Sequence, residues 1–192
     1  MSRQVQKQQT RRRLVEAAYG QICKYGLLSI RVSDVAAAAG VSHGTVFVHF
    51  ESLEALISET AEEYGRRIAL RTHELASSGA CLEHILRAHL KAIGEHEPFY
   101  TWLVIENRLL PPGVRDVWVS IQSAISYHLS GALLNEAVAD VPEALLFNTW
   151  VGLVHHYLTN GDLFAPGGSV IERWGETLIS SFLKLTKKDL SG

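Results

Sequence analysis

Apolar residues along this chain recur every three to four positions, and alternating runs rich in Val, Ile and Thr bounded by turns are missing. The pattern predicts an all-α fold. Leu14, Ala17, Ala18 and Ile22 share one face of a first helix, running from about Thr10, available as its N-cap, to Tyr25, with Gly26 placed to end it. A short second helix is predicted over about Val32 to Ala39 and a third over about His43 to His49. Ser52 can cap a long fourth helix reaching about Ala76, with Glu54 in its first turn favourable to the helix dipole. Ser77-Ser78-Gly79 closes that helix and is the expected junction to the following half, the long helix itself belonging to both. Later helices are predicted over about Cys81 to Glu95, Phe99 to Leu110, Val114 to Ala139, Pro142 to Asn160 and Val170 to Leu185. Pro98, Pro111-Pro112-Gly113, Pro142 and Pro166-Gly167-Gly168 punctuate them, because proline cannot continue a helix from within. No internal repeat or low-complexity tract is present.

Composition narrows the class. With 192 residues, 47% of them hydrophobic, the chain can bury roughly 70% of its unfolded surface, which excludes disorder of the whole. No stretch approaches the unbroken apolar run of about eighteen residues that a membrane span requires, and the opening MSRQVQKQQT lacks a signal peptide's apolar segment. The expected location is therefore the cytoplasm, with no membrane partner. Cys23 and Cys81 lie far apart without metal-ligand spacing, so neither a disulfide framework nor a zinc site is indicated; both are expected to be small buried residues.

The formal net charge of −2 hides an asymmetry. Residues 1 to 50 hold seven basic side chains against two acidic ones, and the remainder eleven against eighteen. A basic first quarter on an acidic body suggests one surface meeting a polyanion and another that does not.

The segment Val32 to Phe50, VSDVAAAAGVSHGTVFVHF, gives that surface a form. Two short helices crossing through a tight turn need a small residue on the first, a residue tolerating positive φ in the turn, and an apolar anchor on the second. Ala36, Gly40 and Val46 supply these in order. Val35, Ala39, Val41 and Phe50 can then close a small core against Leu14, Ala18 and Ile22. Ser42 stands where the third helix needs its N-cap, which makes His43, Gly44 and Thr45 an exposed first turn. In helix-turn-helix proteins that turn enters the major groove and touches base edges. The arginines Arg11, Arg12, Arg13 and Arg31 are candidate phosphate contacts, with Lys7 helping from a mobile arm.

Two stretches carry the resemblance to a known family: RRRLVEAAYGQICKYG, followed by VSDVAAAAGVSHGTVFVHFESLEALI. Over roughly residues 10 to 57 the chain resembles the N-terminal domain of TetR-type transcriptional regulators. The resemblance implies a DNA-binding domain over residues 1–51 and an effector-binding and dimerisation domain, a helical bundle, over 52–192. It implies a homodimer whose recognition helices read successive major grooves of a pseudo-palindromic double-stranded DNA operator. Release by a small effector, repression as the default, and a pendulum-like shift of the fourth helix belong to the same implication. Position by position, the base-contacting turn falls on His43, Gly44 and Thr45 beside Ser42, the phosphate-contacting aromatic on Phe47 and a neighbouring groove-facing residue on His49. The aromatic is usually tyrosine, and Phe47 has no hydroxyl for a phosphate. Leu53 stands where a lysine is usual, and Arg31 where a polar cap is usual at the second helix.

In the second half, the proline-broken segment Pro98 to Gly113 interrupts the bundle, which makes Trp102, Ile105, Asn107, Trp118, Gln122 and Tyr127 candidate lining for a largely apolar effector with one or two hydrogen-bonding groups. Two apolar stripes follow, one with Leu145, Leu146, Thr149, Trp150, Leu153 and Tyr157, the other with Ile171, Trp174, Leu178, Phe182 and Leu185. The bland reading is core of one subunit. The family resemblance instead implies a four-helix dimer interface, with Leu146, Trp150, Leu153, Tyr157, Ile171, Trp174, Leu178 and Phe182 in it, of about 2,000 Å².

An enzyme is not expected. There is no HExxH, no ExxH pair and no GxxxxGK[ST] motif. The adjacent His155 and His156 point about 100° apart on a helix, and His84 and His89 are five residues apart, both poor for one ion. No metal, catalytic residue or cofactor is assigned. The alternative to a DNA-binding regulator is a helical interaction or scaffold module that never meets DNA.

Overall fold

The computed structural model describes residues 2–77, 81–134 and 141–187. Among them every regular element is helical: α1 (Arg3–Tyr25), α2 (Val32–Ala39), α3 (His43–His49), α4 (Leu53–Ala76), α5 (Leu82–Gly94), α6 (Glu97–Glu106), α7 (Pro112–Leu133), α8 (Glu143–Thr159), α9 (Gly161–Phe164) and α10 (Val170–Thr186). None of the helices described is long and apolar enough to cross a membrane. The predicted closing residues Ser78 and Gly79 of the fourth helix, and the predicted end of the seventh at Ala139, lie outside the described residues.

Several boundaries move for identifiable reasons. The first helix starts seven residues before Thr10, because Ser2 accepts a hydrogen bond from the Val5 N–H and caps it; Thr10 is interior, its hydroxyl bonded to the Gln6 carbonyl at 3.0 Å. Lys7 is thus helical rather than part of a loose arm. Pro98 and Pro112 stand inside first turns, where a missing N–H costs nothing. The sixth helix stops at Glu106 instead of Leu110, where the Asn107 side chain donates to the Val104 carbonyl at 2.6 Å. The single turn α9 is too short to show a periodicity. Cys23 is only half-buried and Cys81 is exposed at the N-cap of α5, so neither is the buried residue expected.

The chain forms two compact units, residues 1–65 with 98–118 and residues 66–97 with 119–192. In the first, Leu14, Ala18 and Ile22 of α1, Val35, Ala36 and Ala39 of α2, and Val46 and Phe50 close a core, with Val41 half-buried at its edge. Tyr19 stacks on Tyr64 with ring centroids 3.6 Å apart, and Phe99 of α6 leans on Tyr19 at 5.6 Å. Gly26 closes α1 at φ +87°, and a Cβ there would lie 2.6 Å from Glu106 Oε1 and 2.9 Å from Trp102 Cε3, so glycine is required. The room it leaves admits the Glu106 carboxylate, which is buried and accepts from the Leu27 N–H at 2.7 Å and the Leu28 N–H at 3.3 Å.

In the second unit, α10 packs on α5 and α8. Gly175 and Gly94 permit the close approach, since a Cβ on either would meet Leu90 or Ile171 at 3.3 and 3.4 Å. Glu97 fixes the start of α10, accepting from the Val170 N–H at 2.7 Å and the Ile171 N–H at 3.2 Å while Ser169 also donates to it. That carboxylate complements both the free N–H groups and the positive end of the helix.

Candidate nucleic-acid interface

The site begins at Gly40. Its backbone is left-handed, φ 65° and ψ 39°, and its N–H and that of Val41 return to the Ala37 and Ala36 carbonyls at 3.1 and 3.0 Å. This ends α2 within one residue and redirects the chain. Ser42 then caps α3, accepting from the Thr45 N–H at 3.2 Å, with its hydroxyl 2.7 Å from that of Thr45. Val46, 1% exposed, anchors the helix in the core. With that face fixed, His43, Gly44, Phe47 and Val48 are turned to solvent, and the His43 and Phe47 rings lie 5.3 Å apart.

Val48 is a residue that the sequence reading missed. It is 69% exposed beside Phe47 at 46%, an unusual pair of uncovered apolar side chains on so short a helix. Its signal was available: Val48 lies two positions beyond Val46, roughly on the opposite face. Thr45 is half-buried and tied to Ser42. His49 is half-buried and turned from the His43–Phe47 face; its Nδ1 is buried without a partner, and burial, then Lys7 and Arg11, hold its pKa below the ordinary value.

The arginines divide into two pairs. The Arg11 guanidinium is engaged internally: Nε donates to Glu59 Oε1 at 2.9 Å, a second nitrogen reaches Glu59 Oε2, a third reaches the His49 carbonyl, and Cζ lies 4.1 Å from the centre of the Phe50 ring. Arg13 donates to the Ala39 carbonyl at the end of α2. Arg12, Arg13 and Arg31 are all exposed; Arg13 differs in being tied to that carbonyl. Arg12 is 77% exposed with only a Glu16 pair one turn along the helix at 3.0 Å, and Arg31 precedes α2 without a side-chain cap bond. Exposed pairs of that kind contribute little and exchange readily for a stronger anion.

The other candidate residues are dispersed. Trp102, Ile105, Asn107 and Trp118 belong to the first unit and Gln122 and Tyr127 to the second. Trp102, Asn107, Trp118 and Gln122 are half-buried, Tyr127 and Ile105 exposed, and Trp118 lies 5.8 Å from the Tyr100 ring. Of the residues offered for a dimer interface, Leu146, Trp150, Leu178 and Phe182 are buried within the single chain, with Trp150 and Phe182 rings 5.3 Å apart. Trp174 donates to the Phe164 carbonyl at 2.8 Å and packs on Tyr157, while Ile171 covers Gly94; Leu153, Tyr157, Ile171 and Trp174 are half-buried. Among the described residues, no group of three or more His, Cys, Asp or Glu is placed to hold a metal ion.

Comparison with known proteins is consistent with this geometry. Residues 14–60 match the family model described as bacterial regulatory proteins, tetR family. The probable acrEF/envCD operon repressor of Escherichia coli K12 is 29% identical over 90 residues, covering 47% of this chain and 34% of that protein. The matched part therefore spans about a third of the length of that relative. Among solved structures, a TetR-family regulator from Agrobacterium tumefaciens aligns with a TM-score of 0.77 at 16% identity, covering 94% of this chain and 99% of that one. FadR of Bacillus subtilis, solved in complex with stearoyl-CoA, aligns at 0.72 and 16% identity, covering 90% and 97%. A structure described as the molecular basis for control of antibiotic production by bacterial hormones aligns at 0.73 and 22%, covering 94% and 98%.

Proposed function

This chain belongs to the TetR family of bacterial regulatory proteins, whose members are transcription factors and not enzymes, and from that premise we propose that it is a ligand-responsive repressor binding a pseudo-palindromic operator as a homodimer. Residues 1–51 form the DNA-binding domain on this reading, and 52–192 the effector-binding and dimerisation domain. The observation that carries it is α3, capped by Ser42 and anchored by Val46, with His43, Gly44, Phe47 and Val48 left to solvent.

Within that reading the residues take distinct parts. His43 offers ring nitrogens to base edges, Gly44 lets the backbone approach closely, and Phe47 and Val48 suit the thymine methyl or the sugar edge. Arg12 and Arg31 take phosphates, while Arg11 and Arg13 hold α1 against the ends of α3 and α2 and so position the groove-entering turn. The dimer forms on the solvent faces of α8 and α10, where Leu145 is 55% exposed and where Gly152 has open space around its Cα. On this reading the effector is small and largely apolar.

Selection of bound duplexes from a random pool tests the proposal. Enrichment of a two-fold symmetric sequence is expected, with log affinity falling linearly against log salt. A protein that ignores every duplex at low ionic strength overturns it. For the dimer, Gly152→Arg places a long cation where a second subunit would pack but the chain itself has room. Monomers by sedimentation, with operator binding lost and thermal stability of the monomer retained, are the expected result; an unchanged dimer moves the interface elsewhere.

A further inference from the structure

Helix α3 holds none of the side chains that read a base by strong paired hydrogen bonds. From His43 to His49 its sequence is HGTVFVH, without Arg, Lys, Asn, Gln, Asp or Glu. Those are the residues that recognise guanine, adenine or cytosine edges in the major groove. The Ser42 hydroxyl is occupied as the helix cap and lies 2.7 Å from that of Thr45, which is half-buried. His49 is half-buried at the far end. His43 is thus the hydrogen-bonding side chain that α3 turns outward.

What the helix offers in their place is apolar. Positions 43 and 47 are about one turn apart, as are 44 and 48, and the two rows stand about 100° from each other around the axis. The outward face is therefore His43 and Phe47 along one row, with rings 5.3 Å apart, and Gly44 and Val48 along the other. At Gly44 a Cβ would meet nothing nearer than the Ser42 hydroxyl at 4.0 Å, so its row is bare up to Val48. A side chain as short as valine can be reached only where the backbone beside it comes close, and Gly44 permits that approach. On the floor of the major groove the apolar group that base pairs present is the C5 methyl of thymine.

We propose that α3 reads its operator chiefly through thymine methyl groups: Phe47 and Val48 each cover one thymine C5 methyl per half-site, and His43 adds a hydrogen bond to a base edge. The proposal rests on the DNA-binding reading above and names the feature of the duplex that the same surface recognises. It commits both apolar side chains to bases. Phe47 has no donor for a phosphate oxygen, and neither residue gains specificity from a sugar, which is the same in every nucleotide.

The test uses the full-length protein and the duplex that emerges from random-pool selection. Uracil pairs as thymine does and lacks only the methyl, so thymines are replaced by uracil one position at a time. Two positions per half-site should respond, each binding about fourfold more weakly, the worth of one buried methyl. The line of log affinity against log salt should drop without changing slope, since a methyl contact releases no counterion. At the same positions 5-methylcytosine should bind about fourfold more tightly than cytosine. Val48→Ala should weaken binding to the thymine duplex and abolish the thymine–uracil difference at one of the two positions, and Phe47→Ala at the other. Both side chains are exposed, so neither truncation opens the core. Uracil without effect at every position overturns the proposal. So does a thymine–uracil difference that both variants retain, because that would report duplex deformability and not contact. A protein that selects one duplex and binds its uracil form equally well loses this inference and keeps the DNA-binding reading; one that selects no duplex loses both.

Discussion

Glu106 in the first unit and His89 in the second are both polar side chains withdrawn from water, and they differ in how their hydrogen-bonding capacity is used. The Glu106 carboxylate accepts two backbone N–H groups of the turn after α1, in space that only a glycine at position 26 leaves open. His89 satisfies one ring nitrogen with Trp150 and leaves the other unpaired. The first arrangement fixes a backbone: a carboxylate holding Leu27 and Leu28 sets the path into α2, and hence the turn that presents α3. The second leaves a donor without a partner, at a cost of about 1 to 3 kcal/mol.

Acid gives the widest separation between the two. Burial, and for His89 the nearby His155 in second place, hold the folded pKa values of His89 and His155 at about 3 and about 4, below the ordinary histidine value of about 6.5. Between those limits the unfolded chain takes up protons that the folded chain refuses, so stability rises with pH. It is fully present above about pH 6.5 and is lost as pH falls toward 4, at about 1.4 kcal/mol per pH unit for each histidine. Urea titrations at pH 7, 6 and 5 should show this slope, and His89→Leu should remove one proton's share of it. A flat profile would mean that the ring is not held neutral by burial.

Glu106→Leu should be the next largest effect, about 2 to 4 kcal/mol of stability by denaturant titration, since it strands the Leu27 N–H and Leu28 N–H together. Glu106→Gln, which keeps one acceptor, should recover part of it. His89→Leu at pH 7 should cost less, about 1 kcal/mol or below, because freeing the Trp150 N–H is offset by deleting the orphaned Nε2–H. Equal losses for the two leucine variants would erase the contrast.

A finer separation lies within the first unit. Arg11→Ala removes the Glu59, His49 and Phe50 contacts and should destabilise by about 1 to 2 kcal/mol, discounted for partial exposure, with the salt dependence of DNA binding little changed. Arg12→Ala should leave stability alone and flatten the slope of log affinity against log salt by about 0.9. Arg31→Ala should resemble Arg12→Ala. If Arg11→Ala flattens the slope as much as Arg12→Ala does, the division of the arginines into positioning and phosphate-contacting pairs is wrong.

Local chemistry determined much of this protein from the sequence alone. The glycine at 40, the serine caps at 42 and 52 and the 3.6-residue period fix α2, α3 and α4 at their predicted ends, because each depends on residues within one turn of chain. The small, positive-φ and apolar positions Ala36, Gly40 and Val46 made the helix-turn-helix legible for the same reason. The start of α1 escaped because its first two turns are exposed and leave no apolar stripe to count. Tertiary structure alone decided the rest. The fate of Arg11 depends on Glu59, forty-eight positions away, so a row of three arginines could not reveal which ones face water. Apolar stripes on α8 and α10 read alike for a subunit core and for a dimer surface, until Trp150 and Phe182 are seen buried within one chain. The state of His89 required a tryptophan sixty-one residues on, since a tautomer is set by a partner in space and not by a neighbour in sequence.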